Sequence, residues 1–563
     1  MKSTMMDAPL TVATILRHGQ QWHAGRQVLT ETDGGVRRRA SFGEVAARAA
    51  RLANGLSALG IRADQRVGTY MWNNQEHLEA YLAVPAMGAV LHTANIRLFA
   101  AQAAYTINAA EDRVLIVDES LAPALARLLP DLPAVHTVVV NGAVDHAMFE
   151  ASEKTVLSYQ DLLAGQPEER AWPEVDERDA ASICFTTGTT GNPKGVAYSH
   201  RSILLQSMSS ATTNALRLGA GDRMLVAVPM FHATAWGYPY SAFWFGADVI
   251  LPDRFLKPAT IVRAIEEERI TFANGVPTIW NDVLQLLRRE PGHDLSSVQR
   301  IVVGGAAVAR ALLQAFDDEV GVPILHGWGM TETSPLVTVG WAPPGAAGEE
   351  ALSARLSQGR VLAGVDIRLV NPDSLEALPA DGQSVGEFEL RGPWISGSYL
   401  GAEGQDKFHD GWLRTGDVGT LDPQGYVRLT DRAKDVIKSG GEWISSAELE
   451  GVLSAHPDIA EACVIGVPDP RFDERPCALV VGREGASLDA GALRAWLVGR
   501  VARWWIPERW IFADTLPHTS VSKLDKKLMR SRYAAREYDL IEVRTSLPPE
   551  PAEDPAATTK AGR

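Results

Sequence analysis

The stretch from Thr186 to Gly195 reads Thr-Thr-Gly-Thr-Thr-Gly-Asn-Pro-Lys-Gly, and seven of its ten residues are Gly or Thr. Glycines let successive backbone N–H groups turn inward around a phosphate. The threonine hydroxyls add donors, and Lys194 adds a mobile positive charge. The apolar run Ile183-Cys184-Phe185 before it reads as a buried strand, so the loop is expected at a strand end. Only two residues separate Gly188 from Gly191, which excludes the GxxxxGK[ST] spacing of P-loop NTPases. The alternative is a Gly/Thr surface loop with no ligand.

Four further segments follow in order. They are His326-Gly327-Trp328-Gly329-Met330-Thr331-Glu332-Thr333-Ser334; Gly411-Trp412-Leu413-Arg414-Thr415-Gly416-Asp417; Asp431-Arg432-Ala433-Lys434-Asp435 with Lys438-Ser439-Gly440-Gly441-Glu442; and Leu516-Pro517-His518-Thr519-Ser520-Val521-Ser522-Lys523. With the first loop they make the chain resemble the adenylate-forming superfamily of acyl-CoA synthetases, luciferases and peptide-synthetase adenylation domains. The resemblance runs from about Leu10 to about Tyr538. Within the superfamily the chain is most similar to bacterial medium- and long-chain fatty-acyl-CoA ligases. That closer match rests on Trp72-Asn73-Asn74, on Pro229-Met230-Phe231-His232 with Ala235-Trp236 and Pro239-Tyr240, and on Ser439-Gly440-Gly441-Glu442-Trp443-Ile444-Ser445.

At 563 residues the chain is expected to form at least two domains. A formal net charge of −15 argues against nonspecific nucleic-acid binding and requires local basic groups to meet ATP and CoA. The three cysteines, Cys184, Cys463 and Cys477, have no metal-ligand spacing and suit reduced thiols in a cytoplasmic protein. The apolar stretch 10–16 is broken at once by Arg17 and His18, so it does not read as a signal peptide. Residues 224–247 hold no Asp, Glu, Lys or Arg, but Pro229, Gly237, Pro239 and Gly246 favour a strand, a turn and a buried helix over a membrane span. At most peripheral membrane contact is expected.

Ser41-Phe42-Gly43-Glu44 has the spacing of a capping box ahead of a helix that Gly60 can end. Short apolar runs at 66–71, 114–117, 137–140, 183–186, 224–228, 301–303 and 324–325 alternate with helical patterns. That alternation predicts an α/β fold of mostly parallel, helix-covered sheets. The resemblance adds a β-barrel-like subdomain and a small mobile α+β C-terminal domain. The expected boundaries are residues 1–432, 433–545 and a Pro/Ala/Glu/Thr-rich, disordered tail at 546–563.

The resemblance implies two steps: a carboxylate attacks ATP to give acyl-AMP and pyrophosphate, then CoA displaces AMP. It implies that Thr186, Thr187, Gly188, Thr189, Thr190 and Lys194 hold the phosphates. Glu332 is expected to ligate Mg²⁺, with Thr187 as a second candidate, and Thr331 to bond the α-phosphate; a carboxylate complementing a helix dipole is the alternative for Glu332. Gly305, Ala306 and Ala307 are expected to wall the adenine, although Gly304 and Gly305 also suit a plain turn, and His326, Gly327 and Trp328 are expected to bind ATP or AMP. Asp417 matches the ribose-binding carboxylate and Arg432 a second nucleotide contact; alone, Asp417 would read as a turn residue.

Lys434 falls at the family's hinge. Lys438, Gly440, Gly441 and Trp443 resemble the CoA-tunnel element, or an ordinary hairpin. Lys523 is the expected catalytic residue of adenylation, with Lys526 and Lys527 as decoys. Ser522 stands where the family carries a glycine before that lysine. Phe231, His232, Trp236 and Tyr240 align with the acyl pocket, Trp236 as its gate; plain aromatic core is the alternative. The expected partners are a fatty acid, ATP and CoA, and a homodimer stays open. A short, sulfur-containing or aryl carboxylate, of methylmercaptopropionate or cinnamate type, is the alternative substrate. Transfer to a carrier protein is disfavoured, because no insertion stands between Arg360 and Asp417. A catalytically dead binding protein is disfavoured by the joint presence of Lys523, Glu332 and Asp417.

Overall fold

In a computed structural model of the chain, the structure describes residues 1, 3–186, 192–401, 403–432, 435–439, 442–483, 485–518 and 524–543, with backbone only for Glu442 and Trp443. The chain divides into two compact units. The first comprises Met1–Thr415 with Thr420–Arg428, and the second Gly416–Gly419 with Leu429–Arg563.

The first unit carries two sheets. One has the strand order Thr155–Ser158, Thr137–Asn141, Asp112–Asp118, Arg66–Tyr70, Val90–Thr93, Ala180–Phe185, Gly195–Ser199. Every pairing is parallel except the last, where Phe185 opposes Gly195 in an antiparallel return. The other sheet runs parallel through Gln27–Glu31, Asp248–Leu251, Arg223–Leu225, Phe272–Gly275, Arg300–Val303 and Ile324–Gly329. It then continues antiparallel through Leu336–Val339 and Gly359–Val361 into the strands that lead to the second unit.

The predicted capping box is formed: Ser41 Oγ accepts from Glu44 N, and the Glu44 carboxylate accepts from Ser41 N, opening the helix Phe42–Ala58. Gly60 at φ +92° follows its end. The uncharged segment 224–247 resolves into the end of a strand, an irregular stretch and the buried helix Tyr238–Phe245. No helix among the described residues is long and apolar enough to cross a membrane. One strand is shorter than expected, Arg223–Leu225 and not 224–228. The carbonyls of Val226 and Val228 are taken by the side chain of Asn73 and do not pair with a neighbouring strand.

The second unit is α+β. Its sheet has the order Glu442–Ile444, Ile437–Ser439, Asp473–Gly482, Arg509–Phe512, Leu540–Glu542, with Ile459–Asp469 paired on Asp473–Gly482. The helices Ser446–Ser454 and Ala490–Leu497 pack Leu449, Leu453, Leu493 and Leu497 against Trp510. The second helix ends at Leu497, two residues ahead of Gly499 at φ +73°, where a helix cannot continue. The tail 546–563 lies outside the described residues.

Three buried histidines in the first unit, His77, His200 and His326, are pushed from 6.5 down to about 4, chiefly by burial. His200 Nδ1 accepts the Val12 N–H at 3.3 Å, a bond that needs the neutral ring. A depressed folded value contributes stability that is complete above pH 6.5 and is lost as the pH falls toward 4. The thermal midpoint should therefore fall through that window. His200→Gln, which keeps an acceptor but does not titrate, should flatten the fall; melts from pH 7 to pH 4 on both proteins check this.

Candidate active site

The neck of the Gly/Thr loop is closed by its own ends. Thr186 N donates to Lys194 O at 2.9 Å, and Lys194 N donates to Thr186 Oγ1 at 3.1 Å. The closure follows from register, since Phe185 and Gly195 already face each other across two strands. Thr187, Gly188, Thr189 and Thr190 lie outside the described residues.

Lys194 does not point freely into solvent. Its Nζ stands 5.1 Å from the centroid of the Tyr399 ring, a cation–π contact. Gly404, at φ +79°, brings backbone so close that a Cβ there would collide with Nζ. The Tyr399 hydroxyl in turn donates to Glu332 Oε1 at 2.6 Å. One tyrosine thus joins Lys194 to Glu332, the carboxylate that the resemblance leads one to expect at magnesium.

Glu332 lies in the short turn Thr331–Thr333 and is buried together with Thr331. The turn is pinned from three sides. Tyr198 Oη donates to Thr331 O at 2.6 Å, Ser396 N to Glu332 O at 2.7 Å, and Met330 N to Thr333 Oγ1 at 2.9 Å. Burial pushes the Tyr198 phenol well above its ordinary value, so it stays a donor. Gly329 precedes the turn where any Cβ would overlap the Pro335 carbonyl, so only glycine fits. Glu332 is therefore the carboxylate of a single 3-10 turn, held by tyrosine, and no longer helix follows that turn.

Gly304, after the strand Arg300–Val303, is tightly enclosed: a Cβ there would stand 2.8 Å from Gly327 O and 3.3 Å from Trp236 Cη2. Gly305 follows at φ +79°. Gly304–Ala307 and His326–Trp328 are adjacent because their strands pair in parallel, Val303 opposite His326. The His326 imidazole is buried, 3.5 Å from Leu356 O. Trp328 packs on Phe388 at 5.6 Å between centroids.

Trp236 reaches Gly304 from an unusual turn. Ala233, Thr234, Ala235 and Trp236 have φ of 43°, 48°, 48° and 57°, and Gly237 follows at 76°. A left-handed conformation costs about 1–2 kcal/mol for each non-glycine residue. The other acyl-pocket candidates face different neighbours. Phe231 meets Trp72 edge-on at 6.4 Å and lies under Arg97. Tyr240 is buried against Tyr81 at 5.4 Å. His232 is half-buried at the start of the turn.

In the second unit, Arg432 Nε meets Asp417 Oδ1 at 2.6 Å. Lys438 is exposed, and its backbone N–H donates to Glu474 Oε2 at 3.0 Å. Lys434, Gly440, Gly441 and Lys523 lie outside the described residues, as does the side chain of Trp443. Lys526 is half-buried, its Nζ 2.8 Å from Glu450 and 2.5 Å from Ser446 Oγ.

Residues 16–400 match the model of the AMP-binding enzyme family, and residues 448–523 match that of the AMP-binding enzyme C-terminal domain. The chain belongs to the AMP-binding enzyme family. It is 40% identical to a medium-chain-fatty-acid–CoA ligase of Ectopseudomonas oleovorans over 541 residues, covering 95% of this chain and 98% of the relative. It is 41% identical to a 3-methylmercaptopropionyl-CoA ligase of Ruegeria pomeroyi over 537 residues, covering 95% and 99%. Among solved structures it is similar to the anthranilate CoA ligase AuaEII in complex with anthranoyl-AMP, with a TM-score of 0.84 and 26% identity over 95% of this chain and 100% of that one. This member of the AMP-binding family is an AMP-forming acid–CoA ligase.

Sequence reasoning did not single out Tyr198 or Tyr399. Tyr399 lies 67 residues beyond Glu332, in a Ser/Gly-rich stretch with no motif to mark it. Tyr399→Phe removes the hydroxyl on Glu332 and keeps the ring under Lys194. Acyl-AMP formation should fall about tenfold, the weight of one charge-assisted hydrogen bond. The melting temperature should hold; a pyrophosphate-release assay beside a thermal melt checks both.

Proposed function

We propose that this acid–CoA ligase acts on medium- or long-chain fatty acids. The observation that carries the reading is the Trp236 indole against the Gly304 backbone, which joins the uncharged aromatic segment 224–247 to the expected adenine wall. The fatty carboxylate attacks the α-phosphorus of ATP, the bond to the leaving pyrophosphate breaks, and acyl-AMP forms. The CoA sulfur, as it loses its proton, then attacks the acyl carbon and AMP departs.

Thr186, Thr187, Gly188, Thr189, Thr190 and Lys194 are assigned to the phosphates, and Thr331 to the α-phosphate. Glu332 would hold Mg²⁺. A single buried carboxylate suits this ion, which takes few protein ligands and completes its shell with phosphate oxygens and water; once bound, it would neutralise phosphate charge. Gly305, Ala306, Ala307, His326, Gly327 and Trp328 are assigned to the adenine, and Asp417 and Arg432 to the nucleotide. Their ion pair ties one Asp417 oxygen to Arg432, and a carboxylate can accept from hydroxyl donors. Lys434 is assigned to the pivot between two arrangements of residues 433–545, and Lys438, Gly440, Gly441 and Trp443 to CoA. Phe231, His232, Trp236 and Tyr240 line the acyl side. Three free, buried cysteines accord with a reducing compartment such as the cytoplasm.

The Ruegeria pomeroyi relative supports a second reading, the same chemistry on a short thioether acid. A C2–C18 acid panel, with 3-methylmercaptopropionate and cinnamate added, separates the two. Each buried CH₂ contributes about 0.8 kcal/mol, so C8–C12 acids should outrun acetate by orders of magnitude; a maximum at the thioether acid rejects the fatty-acid reading.

Two variants test the assignments. Lys523→Ala should lose acyl-AMP formation by roughly 10²–10³ while largely sparing conversion of supplied acyl-AMP to acyl-CoA. Equal loss in both half-reactions would remove it from adenylation. Trp236→Ala should relax discrimination among long acids with little change in ATP affinity. A lowered melt with an unchanged profile shape would make Trp236 core instead.

A further inference from the structure

The segment between the strand Arg223–Leu225 and Phe231 belongs to no strand; Val226 N still donates to Ile250 O at 3.0 Å, but most of its other backbone groups are met by side chains. Asn274 Nδ2 donates to Leu225 O at 2.7 Å, and Asn274 Oδ1 accepts from Ala227 N at 3.0 Å and Val228 N at 3.1 Å. From the other side, Asn73 Nδ2 donates to Val226 O at 2.9 Å and Val228 O at 2.8 Å, while its Oδ1 accepts from Met230 N at 2.8 Å. The hydroxyl of Tyr81 donates to Met230 O. Both asparagines are buried. Each uses its whole amide, two acceptors' worth of backbone or a donor pair at one end and a carbonyl at the other, which no other side chain of that size supplies.

The two asparagines come from different sheets. Asn274 lies in the strand Phe272–Gly275. Asn73 follows the strand Arg66–Tyr70 of the other sheet, just before the helix Gln75–Ala86, and its carbonyl accepts from Asp253 N at 2.9 Å. Segment 225–230 is thus fixed to both sheets, and it leads into the left-handed turn 233–236. A turn of four left-handed non-glycine residues persists only when its surroundings over-determine it.

We infer that Asn73 and Asn274 are positioning residues for acid selection: they clamp segment 225–230 and so hold Trp236 at the Gly304 backbone. The inference rests on the reading of Trp236 as the acyl gate. The asparagines touch neither nucleotide-loop residue 186 nor 194 in the bonds above, so the clamp acts on the choice of acid and not on ATP.

The test is a double-mutant cycle on the full-length enzyme, read as kcat/KM across C6–C18 acids together with KM for ATP and the melting temperature. Asn73→Ala should shift the ratio of C16 to C8 activity about tenfold toward the long acid, the scale of lost buried hydrogen bonds. KM for ATP should stay within about twofold, since uniform binding of nucleotide is untouched. Asn274→Ala, which opens the other half of the clamp, should shift the profile in the same direction and stands in if Asn73→Ala does not fold. In a Trp236→Ala background neither substitution should shift the profile further, because interacting residues are non-additive. Equal loss of activity on all acids, or additive effects with Trp236→Ala, overturns the clamp. If Trp236→Ala itself leaves the profile unchanged, the gate reading fails; if it reshapes the profile and both asparagine variants do not, only the present inference fails.

Discussion

A carboxylate can be buried only if something holds it, and here that task falls to the turn around Glu332. Tyr399 fixes its Oε1, Ser396 its carbonyl and Tyr198 the carbonyl of Thr331. These partners come from both sides in sequence: Tyr198 from the strand that returns after the Gly/Thr loop, Ser396 and Tyr399 from beyond the antiparallel strands. The turn therefore couples the first sheet, the second sheet and the segment leading toward the second unit. Because the Tyr399 ring also faces Lys194, the charge proposed to meet phosphate and the charge proposed to meet metal share one aromatic support.

Around this turn the fold brings backbone together where side chains would not fit. Gly329 lies against the Pro335 carbonyl, Gly304 against that of Gly327, and Gly404 against the Lys194 ammonium. A nucleotide-binding surface built from close backbone approach presents N–H and C=O groups in fixed directions, with no side-chain entropy to lose on binding. That suits an AMP-forming acid–CoA ligase, which must hold one nucleotide through two successive steps.

Much of this was readable from sequence where local chemistry decides the outcome. The Ser41–Glu44 capping box, the parallel strands of the first sheet and the Gly/Thr loop at a strand end all followed from spacing and residue type. The antiparallel strand Val385–Arg391 did not. In Val385–Arg391, Glu387 and Glu389 are buried and meet Arg414 and Arg368, so the polar positions point inward and the usual alternation is disguised. The early end of the strand at Leu225 was also out of reach, since it depends on Asn73, far away in sequence. Tyr399 escaped for the same reason: a tyrosine becomes part of a site through a long-range contact that no short window contains. Lys526 likewise makes an ion pair with Glu450, 76 residues away in sequence, that no short window contains.

The left-handed turn at 233–236 has a consequence for how this enzyme family member can change over time. Four non-glycine residues in that conformation make the local sequence a poor one for the backbone it adopts. Glycine at Ala233 or Ala235 would relieve the strain, but it would also release the chain that aims Trp236. With Trp236 in its proposed place at the acid, selection for thermal robustness and selection for a defined acid pull in opposite directions at the same few positions. A lineage under heat stress and a lineage under a new carbon source would be expected to diverge there first.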